Sequence, residues 1–262
     1  MMKEKLTIIK VGGKIVEDAV ALSRLLTDFA KVDGRKLLVH GGGRSATAIA
    51  GRLGIETTMI EGRRVTDSSM LEVVTMVYGG LVNKNIVAGL QSVGVNALGL
   101  TGADMNIVLS RRRGLKNGVD YGWVGDVVAV DSAAISTLVE AGVCPVVAPL
   151  THDGEGHMLN TNADSMAGEV AKAMVGRYRV TLVYCFEKDG VLLDENNGNS
   201  VIPEITPSYY DELKANGIVS GGMIPKLDNA FACIGAGVES VVITKADNIA
   251  DSSAGTRITS GR

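Results

Sequence analysis

A chain of 262 residues with 46% apolar and 21% charged side chains can bury a substantial core as one large α/β unit or two lobes sharing a sheet, which excludes a disordered or fibrous chain. A net charge of −3, from 26 basic and 29 acidic residues, gives no sequence-wide attraction to nucleic acid or anionic membrane, so any anion site must be local. Cys144, Cys185 and Cys233 show neither metal-ligand spacing nor an even disulfide set; with no signal-like apolar region and no uninterrupted apolar run near ~18 residues, the expected setting is the cytoplasm, away from any membrane.

Short β-rich runs alternate with longer segments of helical period, the pattern of a mainly parallel sheet with helices on both faces. Strands are predicted at 6–11, 36–40, 96–100, 143–148, 180–185 and 238–243. Several end in glycine or a polar turn, at the edge where open α/β sheets bind ligands. An Ala-rich helix is predicted over 45–53. A long helix over 67–92 carries Leu71, Val74, Val77, Val82, Ile86 and Leu90 at near-helical spacing. Residues 111–123 read as a hairpin over the sheet. Asp131 caps a helix ended by Gly142, and Thr206-Pro207 and Gly217 bracket another. A lobe boundary near Gly176-Arg177 divides the chain into 1–177 and 178–262.

Lys10 precedes Gly12 and Gly13 at the end of the first strand, a geometry that suits a phosphate as well as a lysine snorkelling to solvent. The next strand leads through His40 into Gly41-Gly42-Gly43 and a helix, where free N–H groups and the positive helix end favour an anion. The same residues satisfy G-x-G-x-x-A, with Glu61 about twenty residues on, so a dinucleotide site is the competing reading. Arg64 offers a bidentate fork for a substrate carboxylate, or a salt bridge to Asp67. Asn160, Asn162 and Asp164 gather two amides and a carboxylate before a helix; one is expected to cap it, and Asp164, in a small apolar stretch, is expected to have a partner. Gly222, Met223 and Lys226 join a glycine turn to a helix start, where a cation calls for an anion unless it is simply solvated. There is no P-loop and no protein-kinase signature. His152 and His157 flank a polar turn to which no metal role is assigned.

Taken in order, Lys10-Val11-Gly12-Gly13, His40-Gly41-Gly42-Gly43, Gly62-Arg63-Arg64-Val65-Thr66, Gly102-Ala103-Asp104, Asn160-Thr161-Asn162-Ala163-Asp164 and Gly222-Met223-Ile224-Pro225-Lys226 resemble the amino acid kinase family, and within it the N-acetylglutamate kinases. The resemblance runs from about Leu6 to Ile258. It implies an open αβα sandwich with a mainly parallel central sheet, an acyl amino acid lobe over 1–177 and an ATP lobe over 178–262. The implied activity is ATP-dependent phosphorylation of the γ-carboxylate of N-acetyl-L-glutamate in arginine biosynthesis. N-succinylglutamate or a carrier-linked aminoadipate remains open as acceptor. A dinucleotide-dependent oxidoreductase and a catalytically silent amino-acid sensor are the alternatives of other classes.

By that resemblance Lys10, Lys226 and Asp164 are catalytic, the carboxylate orienting the lysines. Gly42, Gly43, Arg64 and Asn160 hold the substrate, while Gly12, Gly13, Lys188, Gly190, Gly222 and Met223 contact the nucleotide. ATP and Mg²⁺ are the implied cofactors, and no protein metal ligand is assigned. The family's usual Asp in the first nucleotide-binding turn stands here as Glu187. A homodimer insensitive to arginine is expected, because the first strand begins near Leu6 without the extra amino-terminal helix of arginine-inhibited hexamers.

Overall fold

The computed structural model of the protein describes residues 3–60, 62–251 and 253–261. The amino-terminal part runs through β1 (Lys5–Val11), α1 (Gly13–Glu17), α2 (Ala19–Lys31), β2 (Arg35–His40) and α3 (Gly43–Arg52). A short ribbon of β3 (Met59–Ile60) and β4 (Arg63–Arg64) precedes α4 (Ser68–Val74), which continues through a π-helical stretch, Thr75–Val82, into α5 (Asn83–Ser92). Then follow β5 (Ala97–Leu100), β6 (Val108–Arg112), β7 (Gly125–Val130), α6 (Ser132–Glu140), β8 (Cys144–Val147), β9 (Leu150–His152), β10 (Met158–Asn160) and α7 (Ala163–Met174). The rest of the chain contributes β11 (Arg179–Phe186), β12 (Glu204–Ile205), α8 (Pro207–Ala215), α9 (Met223–Gly235), β13 (Ser240–Lys245) and β14 (Thr256–Ile258).

Among the described residues, eight strands form the main sheet in the order β12-β14-β13-β11-β1-β2-β8-β5. The pairings are parallel except that of β13 with β14. β1 is buried along nearly its whole length, as expected of a central parallel strand covered on both faces. Its alternate side chains enter two cores. Leu6 and Ile8 join the core beneath α6, α7, α8 and α9, whereas Ile9 and Val11 join that beneath α2, α3, α4 and α5. This is the open αβα sandwich implied by the sequence.

Register decides where the site lies. Val11 of β1 is opposite His40 of β2 and Cys185 of β11, so the turns leaving all three strands open side by side at one sheet edge. The hairpin expected over 111–123 is the connection between β6 and β7, which pair antiparallel and join β9 and β10 in a second, four-stranded sheet.

The long helix expected over 67–92 is present, with the π-helical stretch at its centre. By length and composition Ser68–Ser92 would suffice to cross a membrane. Here one face is built into the core through Met70, Val73, Val74, Val77, Val82, Ile86 and Leu90. The three cysteines are free and buried.

Candidate active site

Two glycine turns meet at the sheet edge. Gly41 donates its N–H to Val11 O at 2.9 Å, and a Cβ added to Gly41 would lie only 3.2 Å from Gly13 N. Gly42 then caps α3, where a Cβ would reach 2.9 Å from the Tyr78 ring. Absence of a side chain is thus what lets the π-helical segment close on the turn. His40, fully buried, holds the turn from below. Its Nδ1–H donates to Gly41 O at 2.7 Å and its Nε2 accepts from Asn83 Nδ2 at 3.1 Å, which fixes a neutral tautomer. Burial pushes its pKa down to about 4.

Arg64 enters this turn from β4. Its Nη2 donates to Gly43 O at 2.7 Å and to Thr47 Oγ1 at 2.8 Å, and its Nη1 to Thr57 Oγ1 at 3.2 Å. The alternative ion pair with Asp67 does not form; Asp67 instead caps α4 by accepting the Met70 N–H at 2.8 Å. Asn160, at the end of β10, is buried and donates through Nδ2 to Thr66 Oγ1 at 2.9 Å. Asn162 is the helix cap anticipated in its segment, accepting from Ser165 N at 3.0 Å. Gly42, Gly43, Arg64, Asn160, Tyr78 and Arg63 line one cavity of about 170 Å³.

A larger cavity of about 620 Å³ adjoins it through Gly43, Met59 and Arg64. Gly12, Gly13, Lys14, Lys188, Gly190, Met223 and Lys226 line this cleft. Gly190 must be glycine for packing, since a Cβ would sit 2.7 Å from both Thr256 Oγ1 and Val201 Cγ1. Lys188 is drawn partly away by Glu195, at 3.3 Å. Gly222 lies at the start of α9, with no atom near its absent side chain, and does not line the cleft.

The Lys10 ammonium lies 2.7 Å from Asp164 Oδ1, the partner expected for that carboxylate. Lys226, in the first turn of α9, places its ammonium 3.7 Å from the centroid of the Phe186 ring, and Lys10 approaches the same ring at 5.6 Å. Burial holds the Lys226 pKa below the usual lysine value, with Asp164 pulling it back up and Lys10 pushing it further down. Two ammonium groups beside a single carboxylate form a site short of negative charge.

Phe186, Tyr78, Arg63 and the ion pair of Lys14 with Glu187 were not assigned roles from sequence. Glu61, the acid of the competing dinucleotide pattern, lies outside the described residues. Asp153, Glu155 and His157 gather at the β9–β10 turn, where Asp153 is committed to His157 Nδ1 at 2.7 Å and to two backbone N–H groups.

Residues 5–245 match the model of the amino acid kinase family. The chain belongs to the amino acid kinase family. The acetylglutamate kinase of Bacteroides thetaiotaomicron is 64% identical over 257 residues, covering 98% of this chain and 99% of that one. Among solved structures, smu.665 from Streptococcus mutans UA159 is 30% identical with a TM-score of 0.78, over 97% of this chain and 98% of its own. The N-acetylglutamate synthase of Neisseria gonorrhoeae, complexed with coenzyme A and N-acetyl-glutamate, shares the fold at a TM-score of 0.82 and 21% identity. It is matched over 98% of this chain and 60% of its own. Membership of this kinase family sets aside the dinucleotide-dependent oxidoreductase.

Proposed function

We propose that this member of the amino acid kinase family transfers the γ-phosphoryl group of ATP to the γ-carboxylate of N-acetyl-L-glutamate, giving the acyl phosphate and ADP in arginine biosynthesis. The observation that carries this reading is the convergence of Lys10 and Lys226 on the Phe186 ring beside Asp164, with Lys226 in the glycine-walled cleft that adjoins the cavity lined by Arg64 and Asn160. A side-chain carboxylate with a pKa near ~4.3 is already ionised at neutral pH, so the reaction needs no general base. What it needs is fixed positive charge where two anions are brought together, and that is what the lysines supply.

In this reading residues 1–177 carry the acyl amino acid and 178–262 the nucleotide. Arg64 takes the α-carboxylate; Gly42, Gly43 and Asn160 position the rest. Gly12, Gly13, Lys188, Gly190 and Met223 line the nucleotide path, with Gly222 setting the start of α9. Mg²⁺ would enter with ATP and neutralise phosphate charge. Glu187, the carboxylate that lines the cleft, is engaged by Lys14, which favours a metal held by phosphate and water oxygens. Retention of both lysines with their carboxylate speaks against a silent sensor.

A cytoplasmic homodimer fits the reading, and exposed Met76 and Leu81 on the 68–92 helix offer apolar surface for a second copy. An ATP-dependent hydroxamate assay across a panel of N-acylglutamates tests the activity. Phosphoryl transfer to N-acetyl-L-glutamate is expected; turnover of none of the panel would overturn the reading.

A further inference from the structure

The pocket that holds Arg64 contains a second guanidinium that the reaction with N-acetylglutamate does not use. Arg63, the neighbouring residue of β4, lines the same cavity and is half-buried. Among the described residues its guanidinium makes no hydrogen bond or ion pair, in contrast to that of Arg64, which is held by Gly43, Thr47 and Thr57. Burial, and next the nearby Arg113, hold its pKa below the usual arginine value.

The carboxylates close enough to act on Arg63 are already engaged elsewhere. Asp126 is gripped at two points by Arg113, whose Nε donates to Oδ2 at 3.1 Å and whose Nη2 donates to Oδ1. Arg113 is kept there by the Tyr121 ring, 5.3 Å from its guanidinium carbon. Asp164 belongs to Lys10. Arg63, Arg113 and Asp126 therefore leave one positive charge unmatched on the hairpin wall of the pocket. A partly desolvated guanidinium with no anion is an unfavourable arrangement unless a ligand completes it.

We propose that Arg63 forms an anion subsite for the acyl group, through which the enzyme takes, besides N-acetyl-L-glutamate, a glutamate N-acylated by a dicarboxylic acid, of which succinyl is a four-carbon example. This rests on the reading of the cavity as an N-acylglutamate site. There the α-carboxylate takes Arg64 and the γ-carboxylate takes the two lysines, so an acetyl group brings nothing for Arg63 to hold. An acyl chain ending in a carboxylate supplies the missing charge, and a guanidinium open to solvent on one side leaves room for its length.

The test compares kcat/KM for N-succinyl-L-glutamate and N-butyryl-L-glutamate, which match in chain length and differ in the terminal carboxylate, with N-acetyl-L-glutamate as control. The wild-type enzyme should favour succinyl over butyryl by about 10-fold or more, the scale of one charge-assisted hydrogen-bonded contact. Arg63→Leu should bring that ratio close to one, and Arg63→Lys should keep part of it. A wild-type ratio near one, or a ratio that Arg63→Leu leaves intact, overturns the subsite. Equal losses on all three acceptors would assign Arg63 to the α-carboxylate instead and overturn it as well. Failure of the wild-type enzyme on all three, N-acetyl included, would instead be failure of the kinase reading.

Discussion

The ammonium of Lys10 and the carboxylate of Asp164, 2.7 Å apart, join the carboxyl end of β1 to the first turn of α7. Residues 154 positions apart in sequence thereby fix one cation at the sheet edge. Asp164 also raises the pKa of Lys226 against the lowering effect of burial, so one carboxylate serves both lysines.

Removing either cation should act on the transition state more than on binding. Lys10→Met and Lys226→Met are each expected to lower kcat by about 10² to 10³-fold with little change in KM for the acyl substrate. The double variant should lose less than the product of the two, since both act on one charge. Near-normal kcat for Lys226→Met would show a merely solvated lysine.

The pH profile should expose the coupling. In the proposed reaction Lys226 would act only when protonated, so activity should fall as pH rises through its depressed pKa. Asp164→Asn removes the larger of the two carboxylate effects that raise that pKa, the other being that of Glu187, and the alkaline limb of kcat should move to lower pH. A limb that stays in place, or moves up, contradicts the assignment.

Arg64→Lys should raise KM for the acylated amino acid more than KM for ATP. An ammonium cannot reproduce the guanidinium fork that holds Gly43 O, Thr47 and Thr57 and that would meet the substrate carboxylate. Initial-rate kinetics with each substrate varied decide the point, and equal changes would count against it.

Gly42→Ala should destabilise the fold by about 1–3 kcal/mol, the cost of overpacking, because the new methyl meets the Tyr78 ring at 2.9 Å. Urea unfolding measures the loss, and Tyr78→Ala in the same chain should recover part of it. No loss in the single variant would mean that the ring yields freely.

Buried, neutral His40 makes folding sensitive to acid. Its folded pKa, about 4, lies below the unfolded value near ~6.5, so between these pH values the unfolded chain binds the extra proton. Stability should therefore decline as pH falls from ~6.5 towards ~4, by on the order of 3 kcal/mol, and level off below. Urea titrations across this range should show a shallower slope for His40→Gln.

Much of this protein was legible in its sequence because local chemistry determines it. A parallel strand buried on both faces must be an apolar run, and a turn that approaches phosphate or carboxylate must be glycine, so β1, β2, β11 and the turns at Gly12-Gly13 and Gly41-Gly43 stood out. The five-residue step from Val77 to Val82 was the trace of the π-helical stretch, read only as a near-helical period. In the second sheet, β9 and β10 span three residues each, too short to show an alternation. Tertiary structure alone decided which charges meet. Lys10 found Asp164 and Asp67 turned to its helix rather than to Arg64, while Phe186 gathered two lysines from opposite ends of the chain. Arg113 took Asp126 and left the Arg63 guanidinium without a partner among the described residues. Such pairings depend on the register of strands distant in sequence, and residue spacing along one chain carries no record of them.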